Sequence, residues 1–284
     1  PLSFTLSVLD IPGATVETFH PKAVHLYGNT LYVANDAPGH YSLEVFDVSS
    51  GNVRHVKSMV EWMNGDKKET FVGEPNGVTR SYGKIYVTNT GSRTDVFDAE
   101  TYEFITCIGT GTWGEGGYQT VHAFDVTASQ GAVFIRDKRK LVVVLEQDVQ
   151  PGSAARVPIY SRSVNLQEAM GTYAVAARND GFLYVTAQNK NMIYLFDPAD
   201  IRAGDTGFAP YLVTLGFEKS PQSIAFVGDR LFVTLRVDDK RSELWEISPK
   251  NGKLLQDFTD SMVYPEKIAG ARHTLLVVDR ATQT

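Results

Sequence analysis

Six short segments of the sequence can be aligned, and each has a polar or ionisable residue at the equivalent position. These residue types could bind or transform a small ligand. The aligned residues recur every 44 to 54 residues, and the residue after each is small except for Lys267. They are Lys22, Asn76, His122, Tyr173, Gln222 and Glu266. Lys, His, Tyr and Glu commonly transfer protons in enzymes. Four of the six are therefore candidate catalytic residues, and the two amides are candidate ligand-binding residues.

Short strands in a repeated order must position these residues. A polar turn, usually with Gly, precedes a strand rich in aromatic and β-branched residues, and most copies continue into two further strands. The turn and its strand recur at 28–33, 83–87, 131–135, 181–185, 228–233 and, without the turn Gly, 272–277. Four short strands at this period are typical of propeller blades. The sequence predicts an all-β fold, a six-bladed β-propeller formed by residues 1–284 as one domain.

The two ends of the chain complement each other in this prediction. The sixth copy contains only two strands, whereas 4–10 and 14–19 match a third and a fourth strand. A last blade made of two C-terminal and two N-terminal strands would close the ring. Closure would leave no open sheet edge, which otherwise invites aggregation.

Two segments of the sequence also resemble those of known propeller families. The run Pro75-Asn76-Gly77-Val78 with the strand at 84–89, and the strand at 31–35, resemble those of NHL-repeat and YVTN-type propellers. The resemblance extends over essentially the whole chain and implies the propeller fold. It does not imply an activity, because those families include enzymes, binding proteins and scaffolds.

In a propeller the first strand of each blade lines the central channel, so the six aligned residues are expected to form a ring at its mouth. A channel also holds water, and a merely solvated polar ring is the alternative interpretation. Ser, Thr and Asn would suffice for solvation, whereas this ring contains Lys, His, Tyr and Glu. Lys22 and Glu266 would be neighbours across the closure, which predicts a salt bridge between them.

Loops after the second strands are expected to add a further layer on the same face. Their candidate ligand-binding residues are Asn89, Arg136, Arg236 and Arg280, beside Asp36 and Gln188. Three arginines near Lys22 predict a positive mouth that binds a carboxylate or phosphate, which Arg contacts with two parallel hydrogen bonds. Ordinary Arg–Asp pairing within the loops is the alternative.

The long connections into the second and third blades contain aromatic residues. Trp62 lies in one, and Trp113 and Tyr118 lie in the other. Exposed aromatic rings at the mouth would let a sugar ring stack, so Trp113 and Tyr118 are candidate ligand-binding residues. The same rings could instead pack as plugs.

A metal or other cofactor is not expected. Gluconolactonase-like propellers hold a divalent cation with Glu, Asn and Asp, and Asn76 and Glu266 resemble part of that set. A calcium-type site is therefore the alternative, although a cationic Lys in the ring opposes it and the set lacks further carboxylates.

Net charge, apolar runs and cysteine content limit the classes of partner that are expected. The formal net charge is −6 and the pI is near 5.5, which argues against a nucleic-acid ligand. No apolar run is long enough for a membrane span. Cys107 is the only cysteine, so no intrachain disulfide forms. The expected protein is a monomer of the bacterial periplasm or exterior.

Together these features predict a small molecule or a glycan as the ligand at the channel mouth. A metal-independent lyase or hydrolase acting on an acidic carbohydrate is the first interpretation. A non-catalytic propeller that binds a glycan or a protein is one alternative, and a metal-dependent lactonase-like hydrolase is the other. The sequence leaves open whether the protein is an enzyme.

Overall fold

A computed structural model gives the fold of the chain. It describes residues 5–6, 10–49, 52–111, 120, 122–138, 140–151, 164–165, 174–197, 215–216 and 218–279.

Six first strands lie side by side around a central axis. They are β1 (Pro21–Tyr27), β7 (Pro75–Ser81), β11 (Ala123–Ser129), β15 (Val175–Ala177), β19 (Ser220–Val227) and β23 (Pro265–Ala271). Each contacts the next in this order, and β23 contacts β1, so the first strands enclose a central channel.

Each first strand pairs antiparallel with the strand that follows it. These second strands are β2 (Thr30–Asn35), β8 (Lys84–Asn89), β12 (Ala132–Asp137), β16 (Leu183–Ala187), β20 (Arg230–Arg236) and β24 (Thr274–Asp279). Tight turns connect the pairs. Gly28 has φ +60°, a left-handed conformation that glycine adopts at little steric cost. This requirement explains why the turn glycine recurs in the sequence.

Five of the pairs are extended outward into four-stranded antiparallel sheets. The third strands are β3 (Ser42–Asp47), β9 (Arg93–Asp98), β13 (Lys140–Leu145), β17 (Met192–Phe196) and β21 (Ser242–Ile247). The fourth strands are β4 (Arg54–Met59), β10 (Phe104–Ile108), β14 (Val164–Asn165), β18 (Leu215–Gly216) and β22 (Leu254–Asp257). A separate hairpin, β5 (Glu61–Asn64) and β6 (Lys67–Thr70), joins the first blade to the second. The fold is the all-β propeller that the repeats predicted, and the described residues form five four-stranded blades rather than the expected six.

The sixth copy of the repeat forms a two-stranded sheet, β23–β24, between β19 and β1. The predicted N-terminal strand at 4–10 lies mostly outside the described residues. The predicted strand at 14–19 was wrong, because the backbone N–H groups of Thr18 and Phe19 both donate to the carbonyl of Thr15 in a turn. The hydroxyl of Thr18 also accepts from the N–H of Thr15 at 2.8 Å, a local bond that competes with a strand ladder.

The core lies between neighbouring blades. Tyr32 and Val45 of the first blade pack in one buried cluster with Val87 and Phe97 of the second, and the other described blades repeat this arrangement. Leu6 of the N-terminal segment packs in the cluster that contains Leu276 of β24. The described residues contain no helix with the length and hydropathy that a membrane span requires.

Candidate functional site

A bulge near the start of the first strands determines which residues face the mouth of the channel. In five first strands the pairing with the second strand shifts by one residue, and the residue at the shift has no ladder partner. A bulge bends the strand and redirects the side chain beside it. The five bulge residues, which all line one cavity, are Lys22, Asn76, Phe124, Gln222 and Glu266. We refer to them as the ring; Tyr173 lies outside the described residues.

The predicted position of His122 in the ring was wrong. Ala123 pairs with Asp137 as Pro21 pairs with Asn35, so the bulge of β11 falls on Phe124, two residues after His122. His122 precedes the strand, and its Nδ1 lies 2.7 Å from the carbonyl oxygen of Thr90. The ring therefore has an aromatic member where the sequence predicted an imidazole.

The cavity has a volume of about 670 Å³. Its charged lining residues are Lys22, Glu74, Arg236, Asp239, Glu266 and Lys267. Its uncharged lining residues are Asn76, Thr90, Phe124, Gln188, Gln222 and Tyr264. Four of these lining residues were not predicted from the sequence: Glu74, Thr90, Asp239 and Tyr264. Glu74 and Tyr264 each stand directly before the proline that begins a first strand, a repeat position that was not considered. Three cations and three acids give the described lining no net charge, while hydrogen-bond donors and acceptors surround the space.

The salt bridge predicted between Lys22 and Glu266 is present. Nζ of Lys22 lies 3.0 Å from Oε1 of Glu266 and 3.9 Å from Oδ2 of Asp36. The side chains are partly exposed, at 30% for Lys22 and 21% for each carboxylate, so solvent reaches the group. Burial raises the pKa of Asp36, and the charge of Lys22 opposes that rise. Lys22 and Glu266 line the cavity, so the pair offers a cation and a carboxylate to one end of a ligand.

The predicted positive mouth is not assembled by the residues that the structure describes. Arg236 lines the cavity, but its guanidinium pairs with Asp239, as the alternative interpretation had it. Arg136 is fully buried in its blade, and burial lowers its pKa to about 9. Arg280 lies outside the described residues.

The side chain of Asn89 also lies inside its blade and not at the cavity. It is fully buried, and its Nδ2 donates to Oδ2 of Asp95 at 3.0 Å. Asp95 is likewise buried and lies 2.6 Å from Nε of Arg93, although burial raises its pKa to about 7. This polar group connects β8 to β9, so its geometry supports the blade rather than the cavity.

The aromatic residues divide between packing and the cavity. Trp62 is buried, with ring centroids 4.9 Å from Phe71 and 5.0 Å from Phe97, so it packs the β5–β6 hairpin onto the second blade. Trp113 and Tyr118 lie outside the described residues. Phe124 and Tyr264 supply the aromatic surface that the described lining contains.

A second ion pair forms the floor of the cavity. Nζ of Lys267 lies 2.9 Å from Oδ1 of Asp125, from first strands β23 and β11. Below it lies a narrower cavity of about 110 Å³, lined by both residues, by His25 and mostly by small apolar side chains. In the sequence, Lys267 stands out as the one large residue that follows an aligned ring position. Asp125 occupies the equivalent position of β11, but it was not recognised because the alignment of that strand was wrong by two residues.

The described part of the chain contains no group of three or more His, Cys, Asp or Glu side chains placed to hold one metal ion. The chemistry that the cavity offers on its own residues is proton transfer and hydrogen bonding by ion pairs and amides.

Comparisons with known proteins establish the fold alone. No family model matches the chain, and no curated protein matches it in sequence. In structure 1197 solved chains match, so the fold is common and indicates no particular activity. One is a candidate 6-phosphogluconolactonase from Bacteroides uniformis, with a TM-score of 0.61 and 15% identity, covering 92% of this chain and 78% of that one.

Proposed function

We propose that this propeller binds a small polyhydroxylated molecule, a sugar acid or its lactone, in the cavity at the channel mouth. The observation that carries the proposal is the ring itself. Its five described members all differ, and all of them line one cavity. Five different side chains at equivalent positions present an asymmetric surface that suits an asymmetric ligand.

The cavity has the size and the lining that such a ligand needs. Its volume of about 670 Å³ lies within the range of about 300–1,000 Å³ that is usual for small-molecule sites. Hydroxyl groups both donate and accept hydrogen bonds, and amides such as Asn76, Gln188 and Gln222 do the same. Phe124 offers an apolar face to the C–H side of a sugar ring.

Binding is tested with a thermal-shift panel of aldonates, aldonolactones, uronates and neutral sugars. A ligand that binds only the folded chain raises the unfolding midpoint in proportion to the logarithm of its concentration. We expect a sugar acid or lactone to raise the midpoint of the wild type and to raise that of Asn76→Leu/Gln222→Leu much less. Equal shifts in both proteins place binding elsewhere, and no shift in either contradicts the proposal.

Lactone hydrolysis without a metal is the activity that we propose for this site. It is favoured by the pairing of Lys22 with Glu266, a cation and a carboxylate side by side on the cavity wall. The structural neighbour described as a candidate 6-phosphogluconolactonase gives this reaction class a precedent on the fold. A receptor that binds the same ligand without turnover is the alternative.

The proposed reaction uses the two residues in complementary roles. The carboxylate of Glu266 accepts a proton from water as the water oxygen attacks the lactone carbonyl carbon. The ammonium of Lys22 donates a hydrogen bond to the oxyanion that forms. The ring C–O bond then breaks, and Glu266 returns the proton to the departing alkoxide oxygen. The product is the open hydroxy acid.

Hydrolysis is tested by acid release from glucono-1,5-lactone at constant pH, corrected for the spontaneous rate. We expect the wild type to accelerate release and Glu266→Gln to do so far less. If the lactone raises the unfolding midpoint but its hydrolysis is not accelerated, the protein is a receptor.

We also propose that β23 and β24 are the inner half of a sixth blade that the N-terminal segment completes, and that the chain is related to the NHL-repeat and YVTN-type propellers that its sequence resembles. Two observations support this: β23 lies between β19 and β1, and Leu6 and Ile11 pack in the same cluster as Leu276. Deleting residues 1–10 should then lower the unfolding midpoint by several degrees, and an unchanged midpoint would argue against it.

A further inference from the structure

One layer below the ring, two large charged residues occupy a position that is otherwise small. Five first strands have an equivalent residue there, as their pairing with the second strands shows. In the remaining blade the residue directly before β15 takes this place, since its carbonyl accepts from the N–H of Thr186. These residues are Ala23, Gly77, Asp125, Ala174, Ser223 and Lys267. Small residues keep the channel open at this level, so the Asp125–Lys267 pair is what closes it.

The structure holds Asp125 firmly in this position. Its Oδ2 accepts a hydrogen bond from the backbone N–H of Val175 at 3.0 Å, and its Oδ1 lies 2.9 Å from Nζ of Lys267. Gly77 provides the necessary space, because a Cβ atom there would lie 2.8 Å from Cα and 3.0 Å from Oδ1 of Asp125. Both oxygens of Asp125 are thereby engaged.

Lys267 has hydrogen-bonding capacity beyond this pair. An ammonium group carries three N–H donors, and Asp125 is the partner that the described residues provide for it. The side chain is 14% exposed, and it lines both the large cavity and the narrow one below. Because Lys267 lines the large cavity, its remaining donors are within reach of a molecule bound there.

We infer that Lys267 binds the carboxylate of a sugar acid at the floor of the cavity and that Asp125 positions its ammonium group. This inference rests on the proposed function and names the charged group that the site recognises. Taking two charges out of water is costly, and apolar side chains could close the channel at a lower cost. A cation that lines a ligand cavity gives the pair a role that apolar side chains lack.

The test compares two ligands that differ only in the group at C1. Gluconate and glucitol share their hydroxyl pattern, and differ in having a carboxylate or a CH₂OH group at C1. We measure the binding of both ligands by titration calorimetry to the wild type, to Lys267→Met and to Lys253→Met. Lys253 is an exposed lysine directly before the outer strand β22, so its variant serves as the charge control. Loss of a charged hydrogen bond should weaken gluconate binding to Lys267→Met about 10-fold or more. Glucitol binding should change less than about threefold, and Lys253→Met should match the wild type.

A second variant covers the case in which Lys267→Met does not fold, since it leaves Asp125 without its cation. Asp125→Asn/Lys267→Met removes both charges and should show the same selective loss of gluconate binding. If the wild type prefers gluconate and the variants keep that preference, the inference is wrong while the proposed function stands. If the wild type binds neither ligand, the proposed function fails and the inference fails with it.

Discussion

Nζ of Lys22 lies 3.0 Å from Oε1 of Glu266, which joins strands β1 and β23 across 244 positions of the sequence. Both residues are at bulges of their strands, and both line the large cavity. The pair therefore lies where the first and sixth repeats meet, at the site itself. Because the ion pair is also partly exposed, it should contribute little to stability, and its effect on function can be measured separately.

Glu266→Gln should reduce function with little effect on stability. The ion pair is partly exposed, and such pairs contribute about 1 kcal/mol or less to the free energy of unfolding. Removal of a general base, in contrast, should lower the rate of lactone hydrolysis by about 100-fold or more. Glu61→Gln is the matched control, because Glu61 pairs with Lys68 on the exposed β5–β6 hairpin. If both variants retain the wild-type rate, Glu266 has no part in the reaction.

Phe124→Ala and His122→Ala distinguish the observed ring from the one that the sequence predicted. Phe124 lines the cavity, so loss of its ring should weaken the binding of a sugar acid by about fivefold or more. His122 precedes the strand beside Thr90, and His122→Ala should change the dissociation constant by less than about twofold. Titration calorimetry measures both. A larger loss of affinity in His122→Ala than in Phe124→Ala would indicate that His122, and not Phe124, contacts the ligand.

Breaking the floor pair should cost more stability than removing it. Lys267→Met leaves the carboxylate of Asp125 buried without its cation, which costs about 3 kcal/mol or more. Asp125→Asn/Lys267→Met removes both charges and should recover a large part of that loss. Urea unfolding at neutral pH gives the two free energies. Equal losses in the single and double variants would mean that the charges do not interact.

His25 should make the protein less stable in acid. Burial lowers its pKa from 6.5 to about 4, the charge of Arg80 adds to the effect, and a backbone hydrogen bond with Arg80 opposes it. Its Nε2 is buried without a hydrogen-bond partner among the described residues. Between these two pKa values the unfolded chain binds a proton that the folded chain does not. The free energy of unfolding therefore falls as the pH drops through this window.

The expected loss from His25 is about 2 kcal/mol between pH 7 and about pH 5. His25→Gln should lack this component, so its free energy of unfolding relative to the wild type should rise by that amount over the window. His273→Gln, at an exposed position of the β23–β24 turn, is the control and should follow the wild type. Parallel curves for His25→Gln and the wild type would show that His25 titrates normally in the folded chain.

The strands of this propeller could be predicted from the sequence because their signals are local. Alternation of apolar residues and the turn glycines at 28, 83, 131, 181 and 228 indicate strand pairs directly. The turn at 14–19 was missed because the bonds between Thr15 and Thr18 compete with strand pairing, although the apolar pattern suits a strand. Local hydrogen bonding decided that segment.

The site was harder to predict because it depends on register and on pairing between distant strands. Nothing in the identity of Phe124 shows that the bulge of β11 falls on it, so His122 was aligned in its place. Likewise, the charge of Arg236 is evident from the sequence, but its pairing with Asp239 depends on the loop conformation. The Lys22–Glu266 bridge was predictable because ring closure alone makes those two strands neighbours.

Titration calorimetry of gluconate with the wild type and with Asn76→Leu/Gln222→Leu tests whether the ring binds a ligand. These two amides belong to the ring and do not form its ion pairs, so the variant changes the hydrogen bonds of the cavity without altering its charge. We expect saturable one-to-one binding by the wild type and a loss of affinity of about 10-fold or more in the variant. Equal affinity in the two proteins, or no binding by the wild type, would contradict a ligand site in the ring.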